Sequence, residues 1–197
     1  MNLRAPLPLL ALLLAPVACA PQAPGTESPP LEGARIGGPF ALIDQDGRPR
    51  TEADFAGRWR VMYFGYTFCP DVCPVDMQNL GAGLRLMEKR KPALAAKVTP
   101  VFITVDPARD TPPALKQFVT AFHDRMVGLT GSPQAIAAAA KAYGVWFEKG
   151  EKSEGGGYLV NHTRQAYLMS PDGKPIALVP TDQSPAAVAE TLEHWVR

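Results

Sequence analysis

Cysteine and histidine are scarce in this 197-residue chain, which contains three of each. Three cysteines are too few for a small secreted domain that several disulfides hold together. A surplus of charge is also missing, because 20 basic and 19 acidic side chains leave a formal net charge of +1. With no basic patch, nucleic acid is not expected as a partner. The fractions of hydrophobic (46%) and charged (20%) residues are those of a globular protein with a real core.

The N-terminal segment has the pattern of an export signal. Arg4 precedes an apolar run over residues 7–18, which is shorter than the roughly 20 residues of a membrane-spanning helix. Cys19 follows small residues at the end of this run, which predicts a lipoprotein leader over residues 1–19 with Cys19 lipidated. Ordinary cleavage around residues 18–20 and an uncleaved anchor are the alternatives. All three predict a folded part outside the cytoplasm, for example at the periplasmic face of a membrane, where disulfide chemistry is possible.

A proline-rich segment follows the leader and separates it from the folded domain. Residues 20–37 include Pro21, Pro24, Pro29 and Pro30, a composition typical of an extended tether. We therefore expect one domain over residues 38–197.

Strand and helix patterns alternate along this domain. A strand and hairpin turn are expected over residues 39–47, and buried strands over 58–66 and 98–105. Helices are expected to begin at Pro74, at Pro112 or Pro113, after Ser132 and after Ser184, and a short strand over 126–129. A strand at 145–148, a polar glycine-rich loop over 149–157 and a hairpin of 166–169 with 176–179 complete the order. This order predicts an α/β thioredoxin-like fold with a central mixed sheet, flanking helices and an N-terminal hairpin extension.

Two of the cysteines, Cys69 and Cys73, lie in the run YFGYTFCPDVCP, where a buried strand gives way to a helix. Open α/β sheets bind their ligands at such junctions, and the N-terminus of a helix favours thiolate over thiol. A close thiol pair can cycle between dithiol and disulfide or bind a soft metal ion such as copper(I) or zinc. A structural zinc site would need further ligands, and the domain has no other cysteine. A small structural disulfide is the alternative without a function.

The three histidines occupy different contexts. His123 follows the apolar face of a helix and is expected to cap its end, and His194 lies in the last helix as an expected surface residue. His162 stands between the glycine-rich loop and a strand of the terminal hairpin, and in a thioredoxin-like order this segment lies against the thiol junction. Position alone leaves two interpretations open, a hydrogen-bonding loop residue or a metal ligand.

Three separated motifs resemble the SCO/SenC family of copper-binding assembly factors: YFGYTFCPDVCPVDM, TVDPARDTPPALKQFV and YLVNHTRQAYLMSPDGK. The resemblance extends from about Phe40 to the C-terminus. It implies a thioredoxin-like fold, copper as the bound metal (Cu(I) and also Cu(II)), and Cys69, Cys73 and His162 as its ligands. It further implies a role in the assembly of cytochrome c oxidase, with its copper-site subunit or another copper carrier as the partner.

Some positions depart from the family pattern. Asn161 and Gly157 stand where the family often has acidic residues, and Phe68 stands where histidine is common. We therefore expect fewer acidic groups around His162. Asp106 and Asp110, in VDPARDTP, are candidates either for turn formation and helix capping, with Asp110 or Thr111 as the cap before the prolines, or for docking of a partner.

Three functions compete on these residues. The first is a copper chaperone, not a conventional enzyme, that delivers copper to the binuclear copper site of cytochrome c oxidase or maintains the thiols of that site. The second is a thiol–disulfide oxidoreductase that acts on partner cysteines through the redox-active pair Cys69 and Cys73. The third is a peroxidase of the peroxiredoxin kind, although Thr67 precedes Cys69 by two residues instead of three.

Overall fold

A computed structural model describes residues 27–152 and 157–197 of the chain. Within these residues no helix is both long and apolar enough to cross a bilayer. The leader, Cys19 and the first part of the proline-rich segment lie outside the described residues. The strands are β1 (Ala41–Asp44), β2 (Pro49–Thr51), β3 (Trp59–Gly65), β4 (Val98–Thr104), β5 (Val127–Thr130), β6 (Phe147–Lys152), β7 (Tyr158–His162), β8 (Ala166–Met169) and β9 (Pro175–Val179). The helices are α1 (Val72–Arg90), α2 (Pro92–Ala95), α3 (Pro112–Phe122), α4 (Pro133–Ala142) and α5 (Pro185–Trp195), with a 3₁₀ turn at Glu52–Phe55.

Seven of the strands form one mixed sheet in the order β2-β1-β5-β4-β3-β8-β9. The central strands β3, β4 and β5 run parallel, and antiparallel pairs extend the sheet on both sides. Strands β6 and β7 pair only with each other, as a separate two-stranded sheet. The predicted α/β class, the mixed sheet and the N-terminal hairpin of β1 and β2 are confirmed.

The side chains of β3 pack on both faces of the central sheet. Every residue of β3 is buried, as expected for a central strand with helices on both faces. Tyr63 hydrogen-bonds to Asp76 of α1, whereas the ring of the next residue, Phe64, packs 5.4 Å from the ring of Tyr143 at the end of α4. Since successive strand residues point to opposite faces, α1 and α4 cover opposite sides of the sheet.

Helix α1 begins earlier than the sequence predicts. Its first residue is Val72, not Pro74. The first four N–H groups of a helix have no partner inside the helix, so a proline at the third position removes no helical hydrogen bond. The consequence is that Cys73 belongs to the first turn of α1. The predicted apolar face of this helix is confirmed, because Met77, Leu80, Leu84 and Met87 are all buried.

The predicted glycine-rich loop over residues 149–157 is wrong in its first part. Strand β6 continues to Lys152 and pairs with β7, with Lys149 opposite Val160 and Lys152 opposite Tyr158. Backbone pairing across this hairpin outweighs the low strand propensity of its lysine, glutamate and glycine residues. His162 is therefore the last residue of a strand.

The end of the proline-rich segment contacts the domain. The N–H group of Leu31 donates to the carbonyl of Ile176 at 3.1 Å, and that of Gly37 donates to the carbonyl of Ala142 at 2.9 Å. The side chains of Leu31 and Ile36 pack against the core. Residues 31–37 therefore lie on the domain, and a freely extended tether can only precede them. The domain boundaries themselves stay predictions.

Candidate metal centre

The two cysteines lie at the end of β3, where the chain turns into α1. Both are free thiols. Cys69 is half-buried on the loop between β3 and α1, whereas Cys73 is fully buried in the first turn of α1. Their junction lies at the carboxyl end of the central parallel strands, where α/β sheets bind ligands.

The pKa values of the two thiols are shifted in opposite directions. Burial opposes ionisation of Cys69, but the backbone N–H groups of Cys73 and Asp71 and the side chains of Cys73 and Tyr66 point at its sulfur, and together they lower its pKa. Burial raises the pKa of Cys73, and the neighbouring Cys69 adds to that shift. The reduced pair therefore consists of a nucleophilic, accessible Cys69 and a buried, protonated Cys73.

The structure brings His162 to the buried thiol. The Nε2 atom of His162 lies 3.4 Å from the Sγ atom of Cys73. On the other side of the ring, Nδ1 lies 3.0 Å from the carbonyl oxygen of Thr163, which can only accept. Nδ1 therefore carries the proton in the neutral ring, and the lone pair of Nε2 faces the sulfur. Burial lowers the pKa of His162, which keeps the imidazole neutral.

Two tyrosine rings fix the orientation of the imidazole. The rings of Tyr63 and Tyr66 both meet the His162 ring edge-on, with centroids 6.4 Å and 6.0 Å away. The hydroxyl of Tyr63 donates to Asp76, 2.8 Å away, and Arg164 binds the same carboxylate through two contacts of 2.7 and 2.8 Å. Asp76 is fully buried, so an acidic group does lie near His162. It comes from α1 and not from the segment around Asn161.

The donor set consists of a close pair and a third, adjacent group. Among residues 27–152 and 157–197, no three Cys, His, Asp or Glu side chains form a ready-made metal cage. Cys73 and His162 are in contact, and Cys69 interacts with the Cys73 thiol from the loop. Two sulfurs and one imidazole nitrogen are donors that suit a soft metal ion such as copper(I).

A buried carboxylate braces the loop that carries Cys69. Asp110 accepts from the N–H of Thr67 at 2.9 Å and from the hydroxyls of Thr67 and Thr104 at 2.7 and 2.6 Å. Burial raises the pKa of Asp110 despite these bonds. Asp106 accepts from the hydroxyl of Tyr158 on β7 at 2.8 Å and pairs with Arg109. Of the two capping candidates before the prolines, Thr111 and not Asp110 is the N-cap of α3, and its side chain makes no cap bond, whereas the predicted turn closes through the carbonyl of Asp106.

The other two histidines lie away from this centre. His123 occupies the C-cap position of α3, as predicted, and its Nε2 lies 3.3 Å from a carboxylate oxygen of Glu88. His194 is half-exposed on α5, as predicted, and its ring lies 4.6 Å from that of Trp195.

Sequence reasoning missed Tyr63, Asp76 and Arg164. Tyr63 and Asp76 sit inside patterns that read as a buried strand and an amphipathic helix, and Arg164 reads as an ordinary charged residue. One signal was available for Asp76, because a carboxylate one turn after Cys73 falls on the buried face of α1 and needs a cationic partner.

Comparisons with known proteins identify the family to which this sequence is similar. The profile of the SCO1/SenC family matches residues 28–197. The mitochondrial protein SCO2 homolog of Mus musculus is 46% identical over 167 residues, which are 84% of this chain and 65% of that protein. Protein SenC of Rhodobacter capsulatus is 41% identical over 162 residues, which cover 81% of this chain and 70% of that protein.

Solved structures of family members have a fold similar to that of this chain. The crystal structure of Arabidopsis thaliana ScoI with copper bound superposes with a TM-score of 0.74 at 37% identity and covers 81% of this chain and 97% of that one. The chain spans roughly half to two thirds of several curated relatives, for example 65% of the mouse protein and 53% of a Bos taurus SCO2 homolog.

Proposed function

This chain belongs to the SCO1/SenC family, and from that premise we propose that it is a copper chaperone for the assembly of cytochrome c oxidase. Its cargo would be a copper ion held by Cys69, Cys73 and His162. Relatives of known structure support copper as the metal, since the ScoI proteins of Arabidopsis thaliana and Bradyrhizobium japonicum were solved with copper bound.

The contact between His162 and Cys73 carries this proposal. A histidine 89 residues away in sequence directs its unprotonated Nε2 at the buried thiol, 3.4 Å away, and its Nδ1–H is held by a backbone carbonyl. Metal-binding histidines commonly have this arrangement, in which the hydrogen bond of one nitrogen fixes the other for the metal. A thiol pair used only for disulfide exchange has no need of it.

The two thiols suit uptake and release of the cargo. Cys69 is accessible and has a lowered pKa, so its thiolate is the donor that a partner protein can reach first. Cys73 must lose its proton to bind copper, and the adjacent imidazole can accept that proton only if Nε2 is free. Binding of the ion would therefore release the Cys73 proton to solvent.

Metal analysis of the reduced protein tests the proposal. We expect about one copper ion per chain, and a sharp loss in Cys69→Ser and in Cys73→Ser. His162→Ala should weaken copper binding without removing either thiol. Unchanged copper loading in all three variants would overturn the assignment of these ligands.

The unequal thiols also favour a second function, thiol–disulfide exchange with partner cysteines. The Cys69 thiolate would attack a partner disulfide and release one partner thiolate. Cys73, after loss of its proton to solvent, would then attack the Cys69 sulfur and release the second partner sulfur as a thiolate, which takes up a proton from solvent. The pair is oxidised to a disulfide, and the partner is reduced by the same two electrons.

His162 distinguishes the two functions. His162→Ala should lower copper affinity while exchange with a disulfide substrate persists. Equal loss of both would mean that the substitution disturbs the thiols themselves.

The location and the partner complete the proposal. We propose an exported protein anchored to a membrane through lipidated Cys19, with the copper-site subunit of cytochrome c oxidase or another copper carrier as its partner. Labelling of the expressed full-length chain with a radioactive fatty acid tests the anchor, and Cys19→Ser should abolish the label.

A further inference from the structure

Two side-chain contacts link helix α1 to the segment that follows β7. Cys73 and Asp76, three residues apart in α1, lie on the same helical face. His162 and Arg164 lie opposite them. The first contact joins Cys73 to His162 at 3.4 Å, and the second joins Asp76 to Arg164 through Nη2 at 2.7 Å and Nε at 2.8 Å. The Asp76–Arg164 ion pair therefore joins the same two elements, α1 and the segment after β7, as the contact between Cys73 and His162, and it lies one helical turn further along α1.

The ion pair has a well-defined geometry. Asp76 is fully buried, and both of its oxygens accept from the guanidinium group of Arg164, so the planar fork is bidentate. The hydroxyl of Tyr63 donates to the same carboxylate from β3. A buried carboxylate with three charge-assisted or neutral donors fixes the rotamers of its partners far better than a surface pair does.

The position of His162 depends on such contacts because its strand is not part of the central sheet. Strands β6 and β7 form their own two-stranded sheet. Thr163 is tied back to Trp146, beside the same hairpin, by two bonds of 2.9 and 3.0 Å. At the other end of β7, Tyr158 is bound to Asp106. Arg164 follows Thr163 directly in sequence, and its side chain reaches α1, where it binds Asp76.

We propose that Arg164 and Asp76 are positioning residues that hold the Nε2 atom of His162 against the Sγ atom of Cys73. The ion pair touches neither the cargo nor the sulfur and acts through the backbone that carries His162. This inference rests on the proposed function for its copper measurement, but its first test needs no metal.

The metal-free test measures the position of the imidazole ring. In Arg164→Gln we expect loss of the nuclear Overhauser contacts between the His162 ring and the rings of Tyr63 and Tyr66. Arg90→Gln is the matched control, because the half-exposed Arg90 pairs with a carboxylate, that of Glu193, at the far end of α1. The control should keep the contacts. Contacts that persist unchanged in folded Arg164→Gln would overturn the proposal, whether or not the protein binds copper.

The copper test asks whether Arg164 acts through His162. Loss of a group that orients a metal-binding histidine typically weakens metal binding by about ten- to a hundredfold. We expect Arg164→Gln to lower copper affinity by at least about tenfold in the otherwise unchanged protein and to have no effect in a His162→Ala background. Arg164→Lys, which keeps the charge without the bidentate fork, should restore part of the affinity.

The outcomes separate this proposal from the proposed function. An equal loss of affinity in both backgrounds would show that Arg164 acts on the fold or on the thiols, and would overturn the positioning role. No loss in the unchanged background would overturn it as well. A protein that binds no copper at all would instead overturn the proposed function, and the ring contacts would still decide the role of Arg164. Because Arg164→Gln leaves the buried Asp76 without its cationic partner, circular dichroism checks that the variant folds, and Arg164→Lys, which keeps a cation beside Asp76, is the second variant in which the ring contacts are measured.

Discussion

At the scale of single residues, the chemistry of this protein follows from unequal burial of two sulfur atoms. Cys69 is half-buried, and backbone N–H groups point at its sulfur. Cys73 is fully buried, and its sulfur contacts the side chains of Tyr63 and His162. The spacing of the cysteines predicts a pair, but it does not predict which member is acidic. That difference comes from burial: Cys73 is fully buried in the first turn of α1, where burial outweighs the preference of a helix N-terminus for thiolate, whereas Cys69 is half-buried on the loop.

The acidity difference predicts the order in which the thiols react. In the reduced, metal-free protein at neutral pH, Cys69 should be alkylated by iodoacetamide at least about tenfold faster than Cys73, since alkylation follows thiolate fraction and access. Peptide mapping by mass spectrometry assigns each modification to its own cysteine. In Cys69→Ser, Cys73 should stay slow. Alkylation of Cys73 at a higher rate than Cys69 would contradict the geometry of the site.

Burial of His162 predicts a pH dependence of stability. The pKa of His162 in the folded protein is lowered by burial from its ordinary value of 6.5, although the Thr163 carbonyl raises it in part. The unfolded chain therefore takes up this proton first as pH falls, so the contribution to stability is complete above about 6.5 and is lost below it. Burial also lowers the pKa of His123, so its contribution to stability changes with pH in the same direction.

We expect the metal-free protein to have a lower melting temperature at pH 5.5 than at pH 7.5. His162→Gln should reduce this difference, whereas replacement of the exposed His194 by glutamine should leave it unchanged. The measurement is thermal unfolding followed by circular dichroism at the two pH values. An identical difference in His162→Gln would show that the imidazole is not buried in the neutral form.

At the scale of elements, the loop between β3 and α1 is held from the side by the loop that precedes α3. The carboxylate of Asp110 accepts two hydrogen bonds from Thr67 in the β3–α1 loop and a third from Thr104, the last residue of β4. The motif VDPARDTP therefore acts through its buried second aspartate, and the turn that precedes it closes through backbone bonds from Arg109 and Asp110 to the carbonyl of Asp106.

Removal of this carboxylate should loosen the loop and destabilise the fold. Asp110→Ala leaves buried N–H and hydroxyl donors without an acceptor, so we expect the free energy of unfolding to fall by about 1–3 kcal/mol. Urea denaturation measures it. The control is Asp46→Ala, which removes exposed ion pairs with Lys116 and Arg48 and should cost less than about 1 kcal/mol. Equal effects in the two variants would contradict a bracing role.

The elements also show where sequence patterns succeed and fail. The apolar face of α1 and the serine caps of α4 and α5 follow from local rules, and the hydroxyls of Ser132 and Ser184 accept from Ala135 and Ala187 as such caps do. Gly83 looks unfavourable in a helix, but a Cβ atom there would lie 2.6 Å from the Cγ1 atom of Val188 in α5. Close packing between two helices decides this residue, and such contacts are not visible in a local pattern.

At the scale of the whole molecule, the junction between the central strand β3 and α1 carries the thiols, and a separate two-stranded sheet carries the imidazole. The order of strands and helices predicts the central sheet because buried runs and caps are local signals. It predicts only the first two residues of β6, through the strand expected at 145–148, and none of β7, because the remaining polar residues pair with each other through the backbone. The convergence of His162 and Cys73 is likewise a tertiary fact: the order of elements places the His162 segment near the thiol junction, and the family resemblance is what indicates His162 as a ligand.

This division predicts unequal hydrogen exchange. Amides of β6 and β7 in the metal-free protein should exchange faster than those of β3 and β4, which lie at the centre of the main sheet. Copper loading should slow exchange in the hairpin, because the ion would tie His162 to α1. Mass spectrometry of peptides covering 147–152 and 158–162 measures both. Exchange in the hairpin that is unchanged by copper would mean that His162 does not bind the ion.

The central claim is that two sulfurs and one imidazole nitrogen bind the same ion. X-ray absorption spectroscopy of the copper-loaded, reduced protein tests it most directly, because sulfur and nitrogen scatterers are distinguishable. The account predicts two sulfur ligands and one histidine nitrogen, with the nitrogen signal lost in His162→Ala. A copper site with an unchanged spectrum in that variant would contradict it.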